Sequence, residues 1–164
     1  AKHFADYCKK YHQLNVDSSS LEDETDNHYD LITMFDVLEH LADPVSVFNT
    51  LNSKLKSGGY CVAYTPNVRS VGYELMGAKQ NTMLPFEHLC FFDKKSLDYL
   101  ASMTGFEVEL VETYGLDVMD YLLMKEYEDG VNYTDSLSDM TSLLQSILDK
   151  FDISNHFRIT FKKK

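Results

Sequence analysis

The sequence predicts an α/β fold, a layered sheet covered by helices, and three observations carry that expectation. Two compact apolar runs, YDLITMF from Tyr29 and GYCVAYTP from Gly59, are nearly continuous and read as strands buried on both faces of a parallel sheet. A capped amphipathic helix lies between them, the kind of crossover that parallel neighbours need. Downstream, helical and strand periodicities alternate to the end of the chain.

Element by element, Phe4, Tyr7, Cys8 and Tyr11 recur at spacings of three and four and predict an opening helix with one aromatic face. A short strand is expected at residues 13–17, followed by an acidic, solvated loop. After the first apolar run, Asp43 caps a helix with Pro44 at its first position. Val45, Val47, Phe48, Leu51 and Leu55 give that helix its apolar side, and Gly58 and Gly59 are expected to stop it. Residues 67–91 have weak periodicity and are interrupted by Gly72, Gly77 and Pro85. They read as a long excursion with one short helix, and excursions of this length often cover binding sites. Asp93 caps the next helix, with Leu97, Leu100, Ala101 and Met103 towards the core. FEVELVETYG is a strand by alternation. Thr134 or Asp135 opens a last amphipathic helix, and HFRITFK closes the chain as a strand, inserted antiparallel if it neighbours the preceding one.

Composition narrows the function. At 164 residues the chain suits one domain, read here as residues 1–164 with 67–91 as an acceptor-covering excursion. The net charge of −11 repels phosphate backbones and argues against nucleic acid as a partner. No apolar run is long enough to span a bilayer and the N-terminus lacks a signal-peptide pattern, so a cytoplasmic protein without a membrane partner is expected. Cys8, Cys61 and Cys90 sit among apolar neighbours at wide spacings and read as reduced packing residues.

Two ordered blocks carry a more specific signal. The segment YDLITMFDVLEHLADPVSVFNTLNSKLKSGGYCVAYTPN and the later FEHLCFFDKKSLDYLASMTGFEV resemble the class I S-adenosylmethionine-dependent methyltransferases of the UbiE-like and sugar-modifying group, with Ser57 standing where that family usually has proline. The resemblance runs from about residue 1 to the end. It implies a Rossmann-like methyltransferase sheet, S-adenosylmethionine as cofactor and a small-molecule acceptor. No glycine precedes Gly58, so the family's glycine-rich first turn is not found. The chain is therefore expected to begin after the family's second strand, as an N-terminally truncated domain lacking strands 1 and 2. The family's fourth strand then becomes a sheet edge, which invites a homodimer through that edge.

By the same resemblance, Ser20 and Leu21 lie near the adenine, and Met34, Phe35 and Asp36 line the cofactor cleft at a strand's carboxyl end; core packing is the plain alternative for Met34 and Phe35. His88 and His40 are the candidate catalytic residues, with His88 as general base or simply as a tie for its loop. Asp36, Glu39 and His40 match an acidic, acidic, histidine pattern that holds a divalent ion in related ubiquinone-pathway O-methyltransferases; their other reading is to shape the turn. Tyr64 and Asn67 are placed against acceptor or cofactor, and Tyr73 and Phe86 in an acceptor pocket. His3, His12, His28 and His156 read as surface residues. The expected activity is methyl transfer to a small-molecule oxygen nucleophile. The alternative is a catalytically incompetent fragment kept as an interaction or oligomerisation module, so whether this chain is itself an enzyme stays open; a dehydrogenase is disfavoured by the same missing turn.

Overall fold

The computed structural model describes residues 2–164. Helix α1 (Lys2–His12) leads through coil and a 3₁₀ turn (Leu21–Asp23) into strand β1 (Tyr29–Phe35). A second 3₁₀ turn (Leu38–His40) precedes α2 (Pro44–Lys54) and β2 (Leu55–Pro66). The excursion holds α3 (Val71–Met76). Then come α4 (Lys94–Met103), β3 (Phe106–Tyr114), α5 (Asp117–Asp129), α6 (Tyr133–Ser136), α7 (Ser138–Lys150) and β4 (His156–Lys163). The sheet runs β1-β2-β4-β3, with β4 antiparallel between the parallel β2 and β3. This is the expected α/β sheet with an antiparallel last strand.

Its core forms where α2 and α4 meet the sheet. Phe48, Phe106 and Phe161 are fully buried and meet edge-on, with centroids 5.0 Å apart for Phe48–Phe161 and 5.7 Å for Phe48–Phe106. Cys61, Ala63, Leu97, Leu100 and Ile159 fill the space around them. Both helices start as their sequences require. The Asp43 carboxylate accepts from Ser46 N–H at 2.9 Å, and Asp93 and Ser96 form a reciprocal capping box. Burial pushes the Cys61 thiol up to about 12, so it is inert packing.

Several expectations need correction. Residues 13–17 form no strand; Leu14 is exposed, and among the described residues this segment pairs with no strand of the sheet. Strand β1 is the outermost of the sheet and is not buried on both faces. Met34 is covered while Leu31 and Phe35 are more than half exposed, because only β2 pairs with it among the described residues. Gly58 and Gly59 do not stop α2. That helix ends at Lys54, and pairing of Tyr29 with Leu55 draws the chain into the sheet before the glycines are reached. Met103 faces solvent. The aromatic face of α1 forms as predicted yet leaves Phe4, Tyr7 and Tyr11 exposed. Helix α5 was not anticipated.

Candidate functional site

Parallel strands β1 and β2 end side by side, and the chemistry-bearing residues gather beyond their tips. Asp36 leaves β1 with φ +51°, its N–H donating to the Tyr64 carbonyl at 3.1 Å, so the sheet's last ladder bond aims the following turn. In that turn Glu39 is 2 % exposed and accepts from the Thr65 hydroxyl on β2 at 2.9 Å. The Glu39 carbonyl accepts from both Leu89 and Cys90 N–H, at 2.8 and 2.9 Å, which fastens the end of the excursion onto the turn.

That clasp brings two histidines together. His40 and His88 meet edge-on at 4.8 Å between centroids. The Nδ1 of His40 lies 2.7 Å from the Glu87 carbonyl and that of His88 lies 2.8 Å from the Thr82 carbonyl. A carbonyl only accepts, so each Nδ1 carries a proton, and in the neutral ring Nε2 is the nitrogen left with a lone pair. One donor atom each from Glu39, His40 and His88 lies within 4.8 Å of the others. Two oriented imidazoles and a buried carboxylate are a ligand set for a divalent cation. Asp36, expected in that set, is outside it, because its positive φ turns it away from the turn that carries Glu39; His88 takes its place.

A second feature opens at the same end of the sheet. The antiparallel insertion of β4 puts its first residue, His156, opposite Pro66 and Tyr114 at the tips of β2 and β3. The imidazole stacks on Tyr64 at 4.8 Å with 6° between planes. Both rings line a cavity of about 280 Å³ with Asp120 and Asn155; a larger one of about 610 Å³, lined by Met76, Leu123 and Met124, adjoins it through the shared Asn81 and Asp120. Gly115 forms part of the wall, where a Cβ would stand 2.1 Å from the Asn155 side-chain oxygen. Burial first, then the nearby Asp36, Asp149 and Asp117 charges, pushes the Tyr64 phenol above its ordinary range.

The other expected residues are scattered. Ser20 and Leu21 line a cavity beside Tyr29, Leu31 and Ile32, along the first half of β1. Phe35 and Asp36 lie further along that strand, roughly 10–13 Å beyond Ile32 at the usual rise per residue, and are not among the residues that line that cavity. Asn67 is buried and holds backbone: its amide donates to the Ser154 carbonyl and its oxygen accepts from Arg69 N–H. Phe86 is fully exposed, which takes it off any pocket wall, and Tyr73 sits half-buried on α3. Of the four histidines read as surface, His3, His12 and His28 are exposed but His156 is half-buried in the cavity wall. The missed signal was positional: an antiparallel last strand must begin where its parallel neighbours end.

Comparison with known proteins agrees with this architecture. A family described as "Methyltransferase domain" matches residues 4–111. A ubiquinone biosynthesis O-methyltransferase of Nitrosomonas europaea is 27% identical over 129 residues, 75% of this chain and 54% of that protein. The chain thus spans about half the length of the curated relatives it matches. Among solved structures, an S-adenosylmethionine-dependent methyltransferase from Thermotoga maritima superposes with a TM-score of 0.65 at 19% identity, over 99% of this chain and 70% of that one. One from Archaeoglobus fulgidus gives 0.57 at 19% identity, over 99% and 81%. The chain belongs to the methyltransferase domain family, of the class I S-adenosylmethionine-dependent type.

Proposed function

We propose that this chain carries the acceptor side of an enzyme that moves a methyl group from S-adenosylmethionine to a hydroxyl of a small molecule, with residues 67–91 forming one wall of the acceptor site. The observation that carries the reading is the cavity at the carboxyl tips of β2 and β3, the end of the sheet at which β1 also finishes and where open α/β sheets bind ligands. The strand-tip residues suit the cofactor's chemistry: Phe35 offers an exposed flat face to a purine, and Asp36 an exposed carboxylate to ammonium or ribose hydroxyls. When bound, the sulfonium supplies an electrophilic methyl group. The chain's own residues position the acceptor and remove its proton. Calorimetric titration with S-adenosylhomocysteine is expected to give saturable one-to-one heat. Asp36→Ala should weaken it by about tenfold or more, the loss of one charge-assisted hydrogen bond. Absence of heat at millimolar ligand rejects the reading.

A second reading concerns Glu39, His40 and His88, where the orientation of both imidazoles by backbone carbonyls supports a bound Zn²⁺ or Mn²⁺. It makes His88 a ligand in place of the general base. A cation there would sit beside the acceptor groove and polarise a hydroxyl. His88→Ala should lower Mn²⁺ or Zn²⁺ affinity by about 100-fold or more, read by isothermal titration. An unchanged affinity removes the site.

A further inference from the structure

We propose that His156 is a catalytic residue of the acceptor site, the group that receives the hydroxyl proton of a neutral acceptor, and that Asp120 and Asn155 fix its tautomer. The inference rests on the methyl-transfer reading above and adds to it a base and an acceptor class.

Hydrogen-bond direction decides the tautomer. Asn155 is 2 % exposed and has little freedom to turn. Its side-chain NH₂ donates to the Asp120 carboxylate at 3.1 Å. A flipped amide would set oxygen against oxygen there, so the Asn155 Oδ1 must face the other way. On that side lies His156 Nδ1, at 2.9 Å. An amide oxygen only accepts, which assigns the imidazole proton to Nδ1. Nε2 then keeps its lone pair, and among the described residues it has no protein hydrogen-bond partner. The ring lines the cavity, held flat against Tyr64, so a ligand in that cavity is the remaining partner for Nε2.

Surroundings favour the same assignment. Burial, offset in part by Asp36, Glu39 and Asp117 and aided by His88, holds the imidazole below its ordinary range, in the neutral form a base requires. Asp120, Asp117 and Asp36 also make the cavity a poor host for a carboxylate or phosphate, so the acceptor is neutral. In the step itself the acceptor O–H bond breaks. Its proton goes to Nε2, forming imidazolium. The electron pair stays on oxygen and forms the bond to the methyl group, whose bond to the sulfonium breaks with its pair left on sulfur, and the imidazolium proton later leaves to water.

Imidazole tautomers can be read by long-range ¹H–¹⁵N correlation spectra on the labelled chain at mildly alkaline pH, without any activity. His156 is expected as the Nδ1–H form, and Asp120→Ala, which frees the Asn155 amide to turn, should convert it to a mixture. Phenol, anisole and 4-hydroxybenzoate are then titrated in turn. Phenol should move the His156 Nε2 signal, whereas its methyl ether, with no proton to donate, and the anionic 4-hydroxybenzoate should not. An Nε2–H tautomer in the unaltered chain, or equal shifts with phenol and anisole, overturns the base assignment; an equal shift with 4-hydroxybenzoate overturns the neutral-acceptor class. None of these readouts depends on cofactor, so a failed S-adenosylhomocysteine titration remains a separate result against methyl transfer.

Discussion

Replacing Phe48 by alanine is expected to lower the unfolding free energy by about 3–5 kcal/mol, the usual range for a buried phenylalanine truncated to a methyl. The ring has no exposed surface and supplies the contact between α2 and two strands, meeting Phe161 of β4 and Phe106 of β3 edge-on. Those two rings also meet each other, at 6.3 Å. Alanine therefore leaves a hole bounded by aromatic faces that can close only by moving a strand. Each lost edge-to-face pair adds roughly 0.5–1.5 kcal/mol to the area effect. Against a total stability of about 5–15 kcal/mol for a domain of ordinary size, this change alone removes between about a fifth and the whole of the margin. Urea denaturation followed by far-ultraviolet circular dichroism measures it. Phe48→Leu, which keeps most of the volume, should recover more than half the loss. A Phe48→Ala loss below about 1 kcal/mol would mean that the aromatic trio is not the centre of the core.

Much of this architecture was legible because local signals agreed with global ones. Asp43 followed by Pro44, and Asp93 with Ser96, announced the starts of α2 and α4 by capping chemistry that needs no tertiary contact. The long apolar runs announced β1 and β2. What failed had no local signature. Residues 13–17 alternate like a strand, but alternation cannot say whether a partner edge is within reach. Helix α5 carries acidic residues in its first and last turns and buries only Asp117 and Leu122, so its periodicity is nearly mute.

The site divides the same way. Residue types at Asp36, Glu39, His40 and His88 pointed to chemistry. Which of them meet was decided by the Leu89 and Cys90 amides clasping the Glu39 carbonyl, a contact between segments some fifty residues apart along the chain. That clasp admits His88 to the cluster, and the left-handed backbone at Asp36 excludes the aspartate. His156 escaped notice because its role follows from sheet order and from two neighbours, Asn155 and Asp120, whose spacing of 35 residues carries no motif.

Asp117→Ala is expected to be the other severe change, with a loss of about 3–5 kcal/mol, since it removes a buried charged group and leaves its donors unmatched. The side chain is 2 % exposed and accepts three hydrogen bonds: Gly72 N–H at 2.9 Å, Asn155 N–H at 2.9 Å and the Gln145 amide at 3.2 Å. These donors belong to α3, to the residue before β4 and to α7, so one carboxylate joins the excursion, the strand that carries His156 and the last long helix. Two of the donors are backbone groups shut away from water, which no side-chain rearrangement can satisfy. Asp117→Asn keeps one oxygen acceptor and should recover part of the loss. The joint is also tight, because a Cβ at Gly72 would stand 2.6 Å from Asp117 Oδ1. Gly72→Ala should therefore destabilise the native chain, yet cost markedly less once Asp117 is already alanine, a coupling that a double-mutant cycle in urea reads directly. Hydrogen exchange at the Gly72 and Asn155 amides should quicken together in Asp117→Ala. Strictly additive losses with unchanged exchange at both amides would show that this carboxylate does not hold the excursion to the sheet.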